Sequence, residues 1–317
     1  MKQAFNILLL GASYGSLLAT KLALAGHNAK LICLPDEVSL INKEGTLVRM
    51  PVKGREGLYD ISSKELSGKI EAIGPDQVKA DEFDLAVLAM QEPQYRSADI
   101  KNVLKDLAAA KIPCMSIMNM PPLTYLKRIN GLDTTNYRDS YSDASVWDQL
   151  DPNLMTLCSP DPQAFRPPDE PINVLQVRLP TNFKAARFES DEHTAILEKL
   201  ENDIEAARFD TGDGLVELPV KLRVHKSIFV PMAKWCMLLA GNYRCVQQNE
   251  MRTVRPFTPT WLKRKKYTSG YQNFVFRWEP PARTWFPSKN MLMQLSLSLA
   301  LHLQLVLLLL GPPILRE

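Results

Sequence analysis

Residues 6–34 read NILLLGASYGSLLATKLALAGHNAKLICL, and they predict a strand, a tight turn, a helix and a second strand. Residues 7–10 form a short continuous apolar run, which is typical of a strand covered on both faces. Three apolar residues then recur at the spacing of one helix face, at Leu18, Leu22 and Ala25. Gly26 stands where a helix commonly ends, and residues 29–34 are again apolar. The stretch therefore predicts a parallel βαβ unit.

The turn of this unit comprises Gly11, Ala12, Ser13, Tyr14, Gly15 and Ser16, and all of these except Tyr14 are small. A βαβ unit places the helix N-terminus beside the turn, where free backbone N–H groups attract a phosphate. In the dinucleotide-binding pattern G-x-G-x-x-G, Gly11 supplies the first glycine, and Ser13 and Ser16 take the second and third places. Gly15 is an additional glycine. We predict that these six residues bind a dinucleotide, while a tight turn without a ligand stays an alternative.

Asp36 follows the second predicted strand. An acidic residue at this place often binds the ribose hydroxyls of NAD, and a basic residue favours NADP. Asp36 is therefore a candidate for the ribose, or it caps a helix that begins at Val38. Lys43 and Arg49 lie nearby in the sequence, so recognition of a 2′-phosphate stays open as well.

Two further buried strands are predicted at 84–89 and 112–118. Gln91 and Asn119 follow them, at the carboxyl ends where ligands bind in open α/β sheets. The amide of Asn119 can serve a carboxamide or a substrate oxygen, although an asparagine that only supports the turn is the alternative. The fold class predicted is α/β, with a mostly parallel, Rossmann-type sheet followed by a smaller and incomplete α-helical domain.

The other predicted elements are peripheral strands within 45–82, a helix at 100–110, irregular surface across 130–170, a hairpin of 172–179 and 186–188 that returns to the sheet, and helices at 193–207 and 220–245. Pro219 suits the first position of the last helix, because its missing N–H costs nothing there. Lys234 and Asn242 lie eight residues apart and so share one helix face. A lysine on an apolar face either has a function or extends to solvent.

Composition narrows the class of protein. The net charge of +3 over 317 residues, with charges interspersed, argues against a nucleic-acid partner. The five cysteines are scattered without the spacing of a zinc site, which is typical of reduced thiols in a cytosolic protein, so no metal is expected. The chain runs directly into a strand without a signal peptide, and we therefore expect a cytoplasmic protein.

The order of these features resembles the ketopantoate reductase (2-dehydropantoate 2-reductase) family. The residues that carry the resemblance are the glycine-rich βαβ start, Ala25-Gly26-His27, the strand at 84–89, Asn119, Ala233-Lys234-Trp235 and Asn242. The resemblance implies an NAD(P)-dependent oxidoreductase that reduces a small 2-oxo acid, with NADP favoured over NAD by this resemblance alone. It also implies that Lys234 is catalytic, that Asn119 contacts cofactor and substrate, that Gln91 lies at the cofactor, and that Asn242 holds the substrate.

The chain departs from the family pattern at several positions, namely Leu34, Gln91, Met118, Met120 and Leu238. Leu34 replaces the arginine that commonly reads the 2′-phosphate, and Leu238 replaces an asparagine of the lysine-bearing helix. The glycine spacing is also similar to that of opine dehydrogenases. A non-catalytic nucleotide-binding paralogue or sensor therefore stays an alternative, and so does an opine-dehydrogenase-like enzyme. A homodimer is one assembly that stays open.

We expect a Rossmann domain at 1–210, the start of a helical substrate domain at 211–250 and an unusual tail at 251–317. The tail is basic and aromatic at 252–289, and residues 291–310 carry no Asp, Glu, Lys or Arg. That run is long enough to cross a bilayer, but its polar residues argue against a span. A tail anchor, a helix packed on the second domain and an aberrant terminus are the alternatives.

Overall fold

The computed structural model describes residues 4–118 and 120–233, which belong to one compact unit, 1–237. Its helices are α1 (Ala12–Leu24), α2 (Pro35–Glu44), α3 (Ala98–Ala109), α4 (Leu123–Leu126) and α5 (Asp191–Ala206). Its strands are β1 (Asn6–Leu10), β2 (Asn28–Ile32), β3 (Leu47–Pro51), β4 (Leu58–Ser62), β5 (Ile70–Ile73), β6 (Leu85–Leu88), β7 (Cys114–Ser116), β8 (Met155–Ser159), β9 (Gln163–Phe165), β10 (Val174–Leu179), β11 (Phe183–Ala186), β12 (Phe209–Asp210), β13 (Leu215–Val216) and β14 (Leu222–His225). Short 3₁₀ turns join several of them.

The main sheet has eight strands in the order β14-β11-β8-β7-β6-β1-β2-β5. From β5 to β8 all neighbours are parallel, with Ile7 opposite both Ala29 and Leu85, and β11 then runs antiparallel to β8. The chain builds the sheet outward from β1 through β2 to β5, and then from β6 through β7 to β8. The strand order therefore reverses between β1 and β6, and in such sheets ligands bind outside the carboxyl ends at this point.

A second sheet of four strands, β4-β3-β10-β9, packs against α1. The β3–β4 hairpin is antiparallel, β10 lies parallel to β3, and β9 pairs antiparallel with β10. Val48, Met50 and Leu175 from this sheet join Leu17 and Leu18 of α1 in one continuous buried core. Residues on the opposite side of α1 pack on β1 and β2. Because it is covered on both sides, α1 is buried along most of its length.

Lys21 of α1 is buried and ties the helix to a distant segment of the chain. Its Nζ donates hydrogen bonds to the carbonyl oxygens of Leu218, at 3.1 Å, and Pro219, at 2.9 Å. Burial, together with the nearby Lys221 cation, lowers the pKa of Lys21 to about 7. These bonds supply the polar partners that a buried lysine requires.

The structure confirms the predicted α/β fold and its mostly parallel sheet. The strands expected near 6–10, 29–34, 84–89 and 112–118 are β1, β2, β6 and β7, and Gly26 ends α1 with a φ of 91°. The helices expected at 100–110 and 193–207 are α3 and α5.

Four local predictions are wrong. The span 130–170 is not only irregular surface, because it contains the fully buried strand β8 and the fully buried Trp147. The expected hairpin does not form, since β10 and β11 lie in different sheets. Residues 222–225 are strand β14 instead of helix, and α2 begins at Pro35 instead of Val38.

Within residues 4–118 and 120–233, no helix is long and apolar enough to cross a membrane. The predicted helix beyond residue 233, the helical substrate domain and the tail at 251–317 lie outside the described residues. The division of the chain at residues 210 and 250 stays a prediction.

Candidate cofactor site

Gly11 forms the turn between β1 and α1 in a conformation that only glycine adopts easily, with φ 108° and ψ 122°. Its N–H donates to the carbonyl oxygen of Ile32 at the end of β2, at 3.0 Å. A Cβ at this position would lie 2.8 Å from Cγ of Met90 and 3.0 Å from the carbonyl oxygen of Ala89. The absence of a side chain therefore lets the turn lie directly against the end of β6.

The N-terminus of α1 is open to an anion. The helix begins at Ala12, Gly11 provides no side-chain cap, and the first turn contains no acidic residue. Ser13 is exposed in this turn, while Ala12 is buried beneath it. The first N–H groups of a helix have no partner within the helix and carry a partial positive charge. This end of α1 therefore fits a phosphate group, and it lies at the carboxyl edge of the sheet beside the reversal of strand order.

Gly15 provides the close contact between α1 and the sheet. A Cβ on Gly15 would lie 3.2 Å from Cδ2 of Leu31 and 3.6 Å from Cβ of Leu9. Ser16, which takes the third place of the glycine pattern, is buried and donates from Oγ to the carbonyl oxygen of Ala12. The additional glycine thus makes the tight helix–strand contact that the pattern assigns to its third position.

Tyr14 connects the start of α1 to the segment 160–166, which leaves β8 at its carboxyl end. The phenol Oη of Tyr14 donates to the carbonyl oxygen of Pro162. Burial, together with the nearby Asp161 carboxylate, raises the pKa of Tyr14 to about 12. Tyr14 therefore stays a neutral hydrogen-bond donor and holds this segment beside the candidate phosphate site.

The carboxylate that is held at the end of β2 belongs to Glu37. Asp36 is exposed in the first turn of α2, and Leu34 occupies the cap position. Oε2 of Glu37 accepts the N–H of Leu34 at 3.1 Å, and Oε1 lies 2.6 Å from Nη1 of Arg166. The alternative in which Asp36 caps the helix is therefore wrong, while contact between Asp36 and a ribose stays a prediction. An acidic residue three positions after a cap was the available sequence signal for Glu37.

Gln91 is exposed at the end of β6, and its backbone N–H donates a hydrogen bond to Oε1 of Gln94 at 2.8 Å. Its neighbour Glu92 is buried, and both carboxylate oxygens accept the N–H of Ser142, at 3.1 and 3.2 Å. Burial raises the pKa of Glu92. Glu92 was not among the residues predicted from the sequence. Its carboxylate fixes the loop around Ser142 to the carboxyl edge of the sheet.

Strands β1 and β6 are parallel neighbours, so the candidate residues that follow them are brought together. Gly11 and Gln91 therefore lie at one edge of the sheet. Asn119, Lys234 and Asn242 lie outside the described residues, and their roles stay predictions.

Solved structures with a similar fold include a protein assigned as a ketopantoate reductase from Ralstonia solanacearum MolK2. The match has a TM-score of 0.52 and 14% sequence identity, and it covers 77% of this chain and 66% of the other. This chain has a ketopantoate-reductase-like fold. The match confirms the Rossmann-type architecture expected from the sequence, and at this identity it establishes the fold alone.

Two further matches have lower TM-scores. A PanE/ApbA family ketopantoate reductase from Ralstonia eutropha JMP134 gives a TM-score of 0.43 at 13% identity, covering 74% of this chain and 60% of that one. The 2-dehydropantoate 2-reductase from Methylococcus capsulatus gives 0.43 at 14% identity, covering 75% and 62%. The chain thus spans less than two thirds of the length of these structures. No protein-family model and no curated protein sequence matches the chain.

Proposed function

We propose that this protein is an NAD(P)-dependent oxidoreductase that reduces a small 2-oxo acid to the 2-hydroxy acid. The observation that carries the proposal is the N-terminus of α1. It directly follows Gly11, has no side-chain cap and lies where the strand order of the sheet reverses. This arrangement suits the pyrophosphate of a dinucleotide, since both the free N–H groups and the helix dipole favour negative charge. The ketopantoate-reductase-like fold and the predicted lysine further along the chain supply the reaction class.

The described residues fit the dinucleotide at the start of α1. The pyrophosphate would be held by the backbone of Ala12 and Ser13, where Gly11 adds no side chain to block its approach. The adenosine ribose would lie beyond β2, and the nicotinamide would lie beyond β6 and β7, near Gln91 and the predicted Asn119. When bound, the reduced nicotinamide supplies the hydride.

The residues that act on the substrate are assigned from the sequence. The ammonium of Lys234 would donate a hydrogen bond to the carbonyl oxygen, stabilise the negative charge that develops there and transfer a proton to the alkoxide. Asn119 and Asn242 would orient the substrate through amide hydrogen bonds, because an amide both donates and accepts.

Replacement of the predicted catalytic lysine tests the proposal. Titration of NADH and NADPH by fluorescence comes first, followed by a turnover assay over a panel of 2-oxo acids. We expect Lys234→Ala to reduce turnover on the order of a hundredfold, since it removes a charged donor at the developing oxyanion. Lys226→Ala removes an exposed lysine eight positions away and serves as the matched control. Equal turnover in Lys234→Ala and Lys226→Ala would contradict the mechanism.

The same assays separate an enzyme from a nucleotide sensor. The sensor alternative rests on the departures from the family pattern, including the two methionines that flank Asn119. Tight binding of a dinucleotide without its oxidation by any 2-oxo acid would support the sensor. A protein that binds neither dinucleotide would overturn both functions.

A further inference from the structure

A guanidinium from a distant part of the chain lies at the carboxyl end of β2. Arg166 directly follows β9, and its Nη1 lies 2.6 Å from Oε1 of Glu37 in the first turn of α2. The side chain of Glu37 is 9% exposed, whereas that of Arg166 is 28% exposed. Solvent, or a ligand, can therefore reach the guanidinium more readily than the carboxylate.

The contacts of Glu37 argue against its use as the acceptor for ribose hydroxyls. One of its oxygens accepts the N–H of Leu34, the other pairs with Arg166, and the side chain is buried, so little of the carboxylate is open to a ribose. The guanidinium of Arg166 carries five N–H donors in a planar fork, and its ion pair with Glu37 is made through Nη1. The group that this place can offer to a ligand is therefore a cation with several directed donors, which suits a phosphate.

The two cations that lie closer in sequence are placed less well. Arg49 is bound by two carboxylates, with Nε 2.6 Å from Oδ1 of Asp60 and Nη1 2.7 Å from Oε1 of Glu170. Lys43 lies in the last turn of α2, about 13 Å along the helix axis from Leu34 at the usual rise per residue. Arg49 is thus paired with two carboxylates, whereas Arg166 is paired with that of Glu37, and Lys43 lies at the far end of α2 from Leu34.

Arg166 is held in place by the segment that carries it. Strand β9 pairs with β10, with Phe165 opposite Gln176. Ahead of the strand, Pro162 accepts the hydrogen bond of Tyr14, and Asp161 lies 3.0 Å from Nζ of Lys184. These contacts order the backbone that carries Arg166, and the ion pair with Glu37 orders its side chain, which lowers the entropic cost of binding an anion.

We propose that Arg166 determines the choice of cofactor by binding the 2′-phosphate of the adenosine ribose, with Glu37 as its positioning residue. The protein then prefers NADP(H) to NAD(H), even though Leu34 at the strand end carries no charge. The inference rests on the proposed function, because it concerns the adenosine half of the same dinucleotide site.

The test compares nucleotides that differ only in the 2′-phosphate. Dissociation constants of the full chain are measured for 2′,5′-ADP against 5′-ADP and for NADPH against NADH, by calorimetry and fluorescence. We expect the wild type to bind the phosphorylated member of each pair about tenfold more tightly or better, as a charge-assisted contact allows. Arg166→Gln should lose this preference, while its affinity for 5′-ADP and NADH stays within about twofold.

Two further variants keep the test decisive. Arg178→Gln removes an exposed arginine of β10 that lies over the Phe165 ring, 4.8 Å from its centroid, and should bind like the wild type. Arg166→Lys retains the charge without the planar fork, and should retain part of the preference if Arg166→Gln does not fold. The inference is overturned if the wild type shows no preference, or if Arg166→Gln retains it or weakens both nucleotides equally, and the proposed function then stands. Failure to bind any of the four nucleotides would overturn both.

Discussion

Replacement of Gly11 by alanine should destabilise the protein strongly and weaken dinucleotide binding. Alanine would have to adopt a φ of 108°, and its Cβ would lie 2.8 Å from Cγ of Met90 and 3.0 Å from the carbonyl oxygen of Ala89. Met90 is flexible and can move aside, but Ala89 contributes backbone at the end of β6. The turn must therefore move away from β6, and the first N–H groups of α1 move with it.

Gly26 offers a control that separates the two costs. It also has a positive φ, of 91°, but nothing lies within 4 Å of the position that its Cβ would take. Gly26→Ala should cost about 1–2 kcal/mol for the left-handed backbone alone. Gly11→Ala adds the clash, for which overpacking in a core gives about 1–3 kcal/mol. The expected total for Gly11→Ala is therefore about 2–5 kcal/mol.

Urea unfolding followed by circular dichroism measures both variants against the wild type. A loss of about 3 kcal/mol lowers the unfolding midpoint by about 1 M urea if the slope is about 3 kcal/mol per molar. Fluorescence titration with NADH and NADPH then compares affinities under conditions where each variant is folded. The reasoning is refuted if Gly11→Ala unfolds at the same midpoint as Gly26→Ala, or if it binds the dinucleotides as tightly as Gly26→Ala does.

Three further outcomes are expected. Above a pH of about 7 the folded chain releases the proton of Lys21, whereas the unfolded chain keeps it up to a pH of about 10. The free energy of unfolding should therefore rise between pH 7 and about 10. Urea titrations at each pH should show a smaller rise for Lys21→Met. Tyr14→Phe should lower the free energy of unfolding by about 1 kcal/mol, since the carbonyl of Pro162 loses its donor, and an unchanged midpoint would contradict this. Residues 291–310 should not span a bilayer, so cell fractionation should find the full chain outside the membrane pellet, like a version that ends at Asn290. Recovery of the full chain only from detergent-extracted membranes, with the shorter version soluble, would contradict that prediction.

Hydrophobic periodicity was sufficient to predict the βαβ start and the centre of the sheet. The apolar runs of β1 and β6 are fully buried, and such runs are readable from sequence because no polar residue interrupts them. Strand β8 was missed because it reads MTLCS, which mixes polar and apolar residues. Thr156 is nevertheless fully buried there, and its Oγ1 donates to the carbonyl oxygen of Ala186 at 2.6 Å. The local sequence pattern cannot predict a hydrogen-bond acceptor that another strand supplies.

The strand at 222–225 shows how tertiary pairing decides between helix and strand. The apolar residues after Pro219 suggested a helix, yet this segment is extended beside β11, with Leu222 opposite Phe183 and His225 opposite Ala186. Val220 just before it has a φ of 64°, which interrupts a regular helix. Pairing with an existing sheet edge outweighs a weak local preference for helix.

The candidate site was predictable where it depends on neighbours in sequence and not where it depends on distant segments. The turn at Gly11 and the opening of α1 follow from small residues after an apolar strand. Glu37 and Arg166 form an ion pair at the end of β2 because β9 lies in the second sheet. A local sequence pattern cannot predict a contact between residues so far apart in the chain. The sequence therefore predicts the phosphate site that we propose, while the ion pair of Glu37 and Arg166 at the end of β2 required the structure.

The helix that would bind the pyrophosphate is positioned by three separate segments of the chain. Gly11 sets its start against the end of β6, Tyr14 joins it to Pro162, and Lys21 joins it to the carbonyls at 218–219. The last two contacts are directional hydrogen bonds from buried or partly buried side chains, which restrict the orientation of the helix more than apolar packing alone does. A change at Lys21, two to three turns from the candidate phosphate site, should therefore alter the orientation of the N–H groups at the start of α1. If the protein binds a dinucleotide there as we propose, we expect its affinity to depend also on Lys21, which lies outside the proposed site.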